Sequence, residues 1–584
     1  MVKGYSNYDK KPFVRVNGFQ NHAFAGQRII DELKRKVDSF SKDKVVLALD
    51  CYHGVNQQEL LELLKQLKPI SMISISEANH SNEQIQAMLN RNITNDRVFG
   101  VLSCHKIEEF FCKDKLAKIN ADIAAIETGL VIVYGIGASL IEQKDIIVYA
   151  DMPRWELQLR MRRNEVANWC ADNYDEEILR KYKRAFFIDW RVLDRHKTSL
   201  FEKMDYILDS TISNEPKMMT KEAHLAGLKQ AAEQPFRVVP FFDPGVWGGQ
   251  WMKEVCGLDK TQKNFAWCFD CVPEENSLIL KIDEIEIEIP SINLVLYQPR
   301  NLLGDKNHAR FGAEFPIRFD FLDTIDGGNL SLQVHPLTEY IQQNFGMHYT
   351  QDESYYMLDA GEDATVYLGV KENINSQEMI EDLRVAETGE KLFDADKYVN
   401  CFKAKKHDHF LIPAGTVHCS GKNAMVLEIS ATPYIFTFKL WDWGRLGLDG
   451  RPRPIHLAHG EKVIQFDRDT KWVKENLVDQ VEKISDGDGY IEERTGLHKR
   501  EFIETRRHWF TKPVTHNTND GVNVLNLVEG KEAVVSSPTN AFEPFTVHYA
   551  ETFIIPASVG EYVISPTENC NGETLATIKA YVRN

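Results

Sequence analysis

A multidomain chain, α/β in its first part and mainly β beyond, follows from three features of the sequence. Its 584 residues correspond to three or four domains at ~150 residues each. From about residue 44 to 160, short apolar runs alternate with helical periodicity, the pattern of a doubly wound parallel sheet. From about residue 237 onward, many short strands bounded by Gly, Pro, Asn and Asp signal β-sandwich or jelly-roll domains.

The elements follow in order. Lys44–Asp50 (KVVLALD) reads as a buried strand and Gln58–Leu67 as an amphipathic helix. Leu130–Tyr134 and Asp145–Ala150 are short β-branched runs, and a charged helix is expected from Arg154 to Asn168. The ligand edge of such a sheet lies at the strand C-termini. Lys221–Pro235, rich in Glu, Gln and Lys, is the best linker candidate, partly helical. The β pattern then runs through Phe236–Pro240, Ile279–Ile289, Ser331–Val334, Ala364–Val370 and Met425–Ile429, interrupted by a helical insert at Ser376–Glu387. Residues 461–584 continue it, ending in Glu551–Pro566. The expected domains are 1–225, 226–460 and 461–584.

Hydrophobic residues make up 43% of the chain and charged residues 27%, the balance of packed globular protein rather than disorder. A formal charge of −17 repels the phosphate backbone and argues against nucleic acid as the main partner. The first residues are polar, without a signal-peptide core, and no run approaches the ~20 apolar residues of a membrane span. A cytoplasmic protein without a membrane or nucleic-acid partner is therefore expected. Ten cysteines are sparse for this length, and the lone Cys268-x-x-Cys271 lacks the second pair of a zinc ribbon, so ordinary buried thiols are expected.

Chemistry concentrates in Ser331-Leu332-Gln333-Val334-His335-Pro336. Residues two apart share a strand face, so Ser331, Gln333 and His335 project together while Leu332 and Val334 pack the other way. Glu353 precedes an aromatic run, and His418 follows the Pro-Ala-Gly turn of Leu411–His418. Two imidazoles, a carboxylate and an amide oxygen suit zinc or another first-row divalent ion. Taken singly, a histidine beside a β turn is more often a hydrogen-bonded core or surface residue than a ligand. His407 and His409 precede the turn and are expected in an exposed loop.

Trp247-Gly248-Gly249, Leu330–Pro336 (LSLQVHP), Glu353, Ile412–His418 (IPAGTVH) and Val426–Ile429 occur in one order. Over residues 237–584 that order resembles class I mannose-6-phosphate isomerase of the compact bacterial type. The resemblance implies a zinc-dependent, cupin-type aldose–ketose isomerase that interconverts mannose 6-phosphate and fructose 6-phosphate through an enediol-type state. It places Gln333, His335, Glu353 and His418 as the zinc ligands and Glu428 and Lys439 as catalytic groups. Ser331 and Arg445 take the positions of substrate phosphate contacts. As alternatives, Glu428 is a strand carboxylate paired with a cation, Lys439 is solvated, and Arg445 forms a surface salt bridge. The chain departs from the family at Gln351, where a lysine is usual, and at Lys439, where an arginine is usual. An acidic residue after the Glu428 strand is missing, and Gln250-Trp251 replaces a small polar and basic pair. Lys for Arg exchanges a planar fork for a point charge whose pKa shifts readily.

Leu130–Gly135, Asp145–Pro153 and Arg160-Met161-Arg162-Arg163-Asn164 resemble uridine kinase and related P-loop kinases. After the first strand, however, Asp50–Gln57 (DCYHGVNQ) lacks the Gly-x-x-x-x-Gly-Lys pattern and its lysine, which cradle phosphate. The resemblance therefore implies a kinase-like domain that has lost its P-loop. Arg160, Arg162 and Arg163 are either an anion-binding remnant or a solvated helix face. Two functions are compatible with the whole chain. One is a zinc isomerase of a small-molecule sugar phosphate; the other is a non-catalytic, metal-containing sugar-phosphate sensor with a pseudokinase domain.

Overall fold

A computed structural model of the chain describes residues 7–448, 450 and 453–583. Among them, the first sheet has seven strands in the order Ala23–Ala25, Lys217–Thr220, Tyr206–Asp209, Ile146–Asp151, Lys44–Cys51, Gly129–Gly135 and Ser71–Ser74. The run from Tyr206–Asp209 to Ser71–Ser74 is parallel, with antiparallel strands at the other edge. In its centre, Val46, Leu47, Ala48 and Leu49 are fully buried, as an apolar strand covered on both faces requires.

The charged helix is shorter than the sequence suggested, Arg154–Arg162. Asn164 adopts φ 59°, and the amides of Asn164 and Glu165 bond back to Met161 and Arg160, which closes the last turn. Its arginines are not an open anion site. Arg160 donates to the carbonyls of Gly54, Ser210 and Thr211, Arg162 makes a fork to Asp243, and Arg163 pairs with Glu156 and Glu165. Lys221–Ala231 is a packed helix rather than a linker. Ala223, His224, Leu228 and Ala231 are buried, and a Cβ at Gly227 would stand 2.8 Å from Leu280.

Phe13–Arg15 pairs in parallel with Ser277–Ile282, which forms a hairpin with Ile285–Pro290. Phe236–Pro240, expected as a strand, makes only isolated bridges, from Phe236 to Ile554 and from Val239 to Ser277. Prolines at 235 and 240, which lack an amide donor, bound the segment on both sides and keep any ladder from extending.

Two sheets follow. One has the order His409–Ile412, Glu353–Ala360, Ala424–Ser430, Arg318–Asp323, Trp267–Cys271 and Phe241–Asp243; the other runs Val399–Lys403, Thr365–Val370, His418–Ser420, Leu332–Val334 and Phe438–Trp441. Cys268 and Cys271 are buried free thiols in the first of these. The insert forms a helix at Ser376–Thr388, its N-terminus capped by the Asn375 side chain. The tail builds a six-stranded and a four-stranded sheet around a core that includes Phe510, Leu525, Phe553 and Tyr562. No helix among the described residues is long and apolar enough to cross a membrane.

Candidate metal centre

Four side chains from three strands and one strand end meet between the two middle sheets. Gln333 lies in Leu332–Val334 and is the register partner of His418 on one side and Lys439 on the other. Cross-strand partners share a face, so His418, Gln333 and Lys439 form one row. His335 follows the same strand and keeps the alternation, and Glu353 opens the strand Glu353–Ala360 of the opposite sheet. His335, Glu353 and His418 are at most 1% exposed and hold one candidate ligand atom each within 4.8 Å of the others.

The contacts around these groups fix which atoms face inward. His335 Nδ1 lies 2.9 Å from the Phe436 carbonyl, and His418 Nδ1 lies 2.9 Å from the Thr416 carbonyl. A carbonyl accepts only, so each Nδ1 carries the hydrogen, which leaves Nε2 as the atom each ring can offer to a metal. Those nitrogens meet a carboxylate: His335 Nε2 is 3.1 Å from Glu353 Oε2, and His418 Nε2 is 3.0 Å from Glu353 Oε1. His335 Nε2 and Glu353 Oε1 are buried without a hydrogen-bond partner. Acceptors facing acceptors repel unless a proton or a cation lies between them. Zinc bonds of about 2.0–2.1 Å separate tetrahedral ligand atoms by about 3.3 Å, so the set needs to open only slightly to admit the ion. Gln333 Nε2 lies 3.2 Å from His418 Nε2, and turning the amide over presents its oxygen to the same point. The donor set fits a divalent N/O-bound metal.

Electrostatics point the same way. Glu353, Glu428 and Asp320 are buried close to one another beside the Arg318 guanidinium, which lies 3.0 Å from Asp320 and 2.9 Å from Glu428. Burial pushes the Glu428 carboxyl well up, reinforced by the charges of Asp320 and Glu353. Asp320 is raised to about 7 by burial, which outweighs Arg318. Burial works against ionisation of Glu353, and positive charge on His335 and His418 would hold its carboxyl well below the usual range; with the rings neutral, a bound cation would take that part. Burial lowers His418. A divalent cation would relieve this crowding of acids.

Glu428 accepts through Oε1 from Arg318, Gln351 and Ser430, so the cation pairing anticipated for it is present. Lys439 is partly exposed, and its Nζ has no hydrogen-bond or ion-pair partner among the described residues. Burial of its amine and the nearby Arg453 lower its pKa to about 7, against the pull of Asp442. Arg445 pairs with Asp442 at 2.5 Å and its guanidinium lies against Gly328; Arg453 also pairs with Asp442. Ser331 is buried at the head of the strand that carries Gln333.

A family described as a domain of unknown function, DUF8485, matches residues 26–233. The mannose-6-phosphate isomerase ManA of Bacillus subtilis (strain 168) is 26% identical over 233 residues, 40% of this chain and 68% of that protein. The putative mannose-6-phosphate isomerase YvyI of the same organism is 24% identical over 281 residues, 47% of this chain and 76% of its own. A solved mannose 6-phosphate isomerase from Bacillus subtilis covers 60% of this chain and all of its own, at 16% identity and a TM-score of 0.48. Part of the chain is a low-identity homologue of mannose-6-phosphate isomerases.

Sequence reading missed several groups that shape the site. Gln351, noted only as a departure, donates to Glu353 Oε2 at 2.8 Å and to Glu428 at 3.1 Å, and accepts from the Phe436 amide at 2.7 Å. Arg318, Asp320 and the unpartnered Tyr355 hydroxyl were also missed. The alternation of charge with Phe319 and Phe321 in Arg318–Asp323 was the available signal. His409, expected in an exposed loop, is buried in a strand with Nε2 2.8 Å from Ser354 Oγ, and burial drops its pKa to about 3. His407 is half-buried between Tyr356 and Glu529. Both lie outside the metal set.

Proposed function

We propose that residues 226–584 form a zinc-dependent aldose–ketose isomerase that interconverts mannose 6-phosphate and fructose 6-phosphate. In this reading the preceding region is a kinase-like α/β domain that has lost its P-loop. The observation that carries it is the convergence of the His335 and His418 lone pairs with the Glu353 carboxylate, in a chain partly homologous to mannose-6-phosphate isomerases. Zinc held by these groups and Gln333 would act as a Lewis acid toward the sugar's oxygens.

The chain's own residues supply the proton steps. Isomerisation moves a proton from C2 to C1 and shifts one between O1 and O2. Lys439, beside Gln333 and with a pKa near 7, exchanges its proton at neutral pH, which suits a base for the carbon-bound proton. Glu428, whose carboxyl is pushed up by burial and neighbouring acids toward the protonated form, serves the oxygens in proton exchange. Arg445 and Ser331 receive the phosphate. Water exclusion by the two packed sheets strengthens each of these interactions.

One observation favours a second reading, a metal-containing sugar-phosphate sensor without turnover. Gln351 ties Glu353 to Glu428 where the resembling family carries a lysine. A coupled assay of mannose 6-phosphate conversion by the full chain, with and without chelator, separates the two. Turnover lost to chelator and restored by zinc is the expected result; saturable binding without turnover supports the sensor, and neither binding nor turnover overturns both.

A further inference from the structure

Phe436 joins the metal centre through both of its backbone polar groups. Its carbonyl accepts from His335 Nδ1, and its amide donates to Gln351 Oε1, the residue that in turn donates to Glu353 and Glu428. Two of the three candidate ligands are thus aimed by the backbone of one residue. Phe345 and Phe438 of the β region pack on the Phe436 ring at 4.9 and 5.8 Å, and the N-terminal region closes the same cluster. The Phe99 ring lies 5.0 Å from the Phe436 ring, 5.3 Å from Phe438, 5.4 Å from Phe345 and 4.8 Å from His456. Both Phe99 and Phe436 are buried.

The loop that presents Phe99 is itself braced. Asp96 Oδ1 accepts from the amides of Val98 and Phe99 at 2.6 and 2.7 Å, and Thr94 Oγ1 donates to the Phe99 carbonyl at 2.7 Å. The Leu102 amide donates to the Phe345 carbonyl at 2.8 Å, tying the far side of the loop to the β region. A second anchor acts two residues before Phe436: the Tyr434 ring meets Phe186 edge-on at 5.6 Å, with the Arg191 guanidinium over it.

We propose that the N-terminal region is a positioning module for the metal centre, acting through Phe99, which clamps Phe436 and thereby fixes His335 and Gln351. Phe99 touches neither ion nor substrate; it is a positioning residue. The inference rests on the metal reading and is independent of sugar-phosphate turnover. Groups that orient metal ligands change affinity by about 10–100-fold when lost, and a ring removed from behind Phe436 acts through such a group.

The test uses the full chain and cobalt as the probe, with affinity from competition against a chromophoric chelator and the visible absorption of bound cobalt as the coordination signature. Phe99→Ala is expected to weaken affinity about ten-fold or more and to alter the cobalt bands, and Phe99→Leu to recover part of both. Trp155→Ala is the control. Trp155 stacks on Phe241 at 4.2 Å between the same two regions and makes no ring contact with Phe436 among the described residues, so its loss should leave affinity and spectrum unchanged. Wild-type affinity and spectrum in folded Phe99→Ala would overturn the proposal, as would an equal loss in Trp155→Ala. If Phe99→Ala does not fold, Phe99→Leu decides by the same readouts, a several-fold loss supporting the proposal and no change overturning it. A wild-type chain that binds no cobalt overturns this inference and the metal reading together. Normal cobalt binding that weakens in Phe99→Ala, without mannose 6-phosphate turnover in wild type, overturns only the isomerase reading.

Discussion

At the residue scale, the site depends on which atoms are already committed. Each imidazole gives its Nδ1 hydrogen to a backbone carbonyl, so each offers Nε2 to the same point. Lys439 is the group whose charge changes most usefully near neutrality, because burial and Arg453 bring its pKa to about 7. The amine is neutral above that value and protonated below it. If it acts as the base, kcat/KM for mannose 6-phosphate rises through about pH 7 and then levels. Lys439→Arg stays charged at every working pH, so its pH–rate profile should lose that limb and kcat should fall about 10²-fold or more. An unchanged limb in the arginine variant would remove Lys439 from the proton step. His335, Glu353 and His418 were legible because strand alternation and the Pro-Ala-Gly turn expose them in local sequence. Gln351 and Phe436 were not, because what they do is set by hydrogen bonds across 77 to 101 residues, for which no local pattern exists.

At the element scale, strands whose apolar runs are buried on both faces were read nearly to their ends, as Lys44–Cys51 and Ala424–Ser430 show. Errors arose where tertiary contacts decide. Arg160 is buried and taken up by carbonyls of two other segments, whereas Arg162 and Arg163 stay on the exposed face and pair with carboxylates. Lys221–Ala231 looked like a linker because its composition is polar, although its small residues are what let Leu280 and Val16 approach Gly227. Trp247-Gly248-Gly249 is structural for the same reason. A Cβ on Gly249 would stand 2.1 Å from Asp323 Oδ1 and 2.7 Å from the Ile325 amide nitrogen. Asp323 Oδ1 already accepts from Ile325 and Oδ2 from Met252, so it has no room to move. Gly249→Ala is therefore expected to destabilise the middle region by about 1–3 kcal/mol, read as a lowered denaturant midpoint. A variant as stable as wild type would contradict this packing.

At the scale of the whole molecule, the N-terminal and β regions share buried charge as well as aromatic contacts. Glu274 pairs with Arg154 and with Arg191, and Arg154, 1% exposed, also pairs with Asp194. Removing one partner of a buried pair strands the other's charge, at about 3–5 kcal/mol. Glu274→Ala should therefore lower the unfolding midpoint sharply, whereas wild-type stability in that variant would mean that the two regions do not depend on this junction. The broad split into an α/β part and a β part was visible in periodicity alone. How the parts lean on each other was not, since Phe99 and Glu274 are unremarkable in their own neighbourhoods. The central claim is that His335, Glu353 and His418 hold one metal ion. Elemental analysis of the purified full chain after zinc loading and gel filtration tests it most directly, alongside His418→Ala and Glu353→Gln. One zinc per wild-type chain and almost none in either variant is the predicted result; no bound metal in wild type, or a full equivalent in both variants, would contradict it.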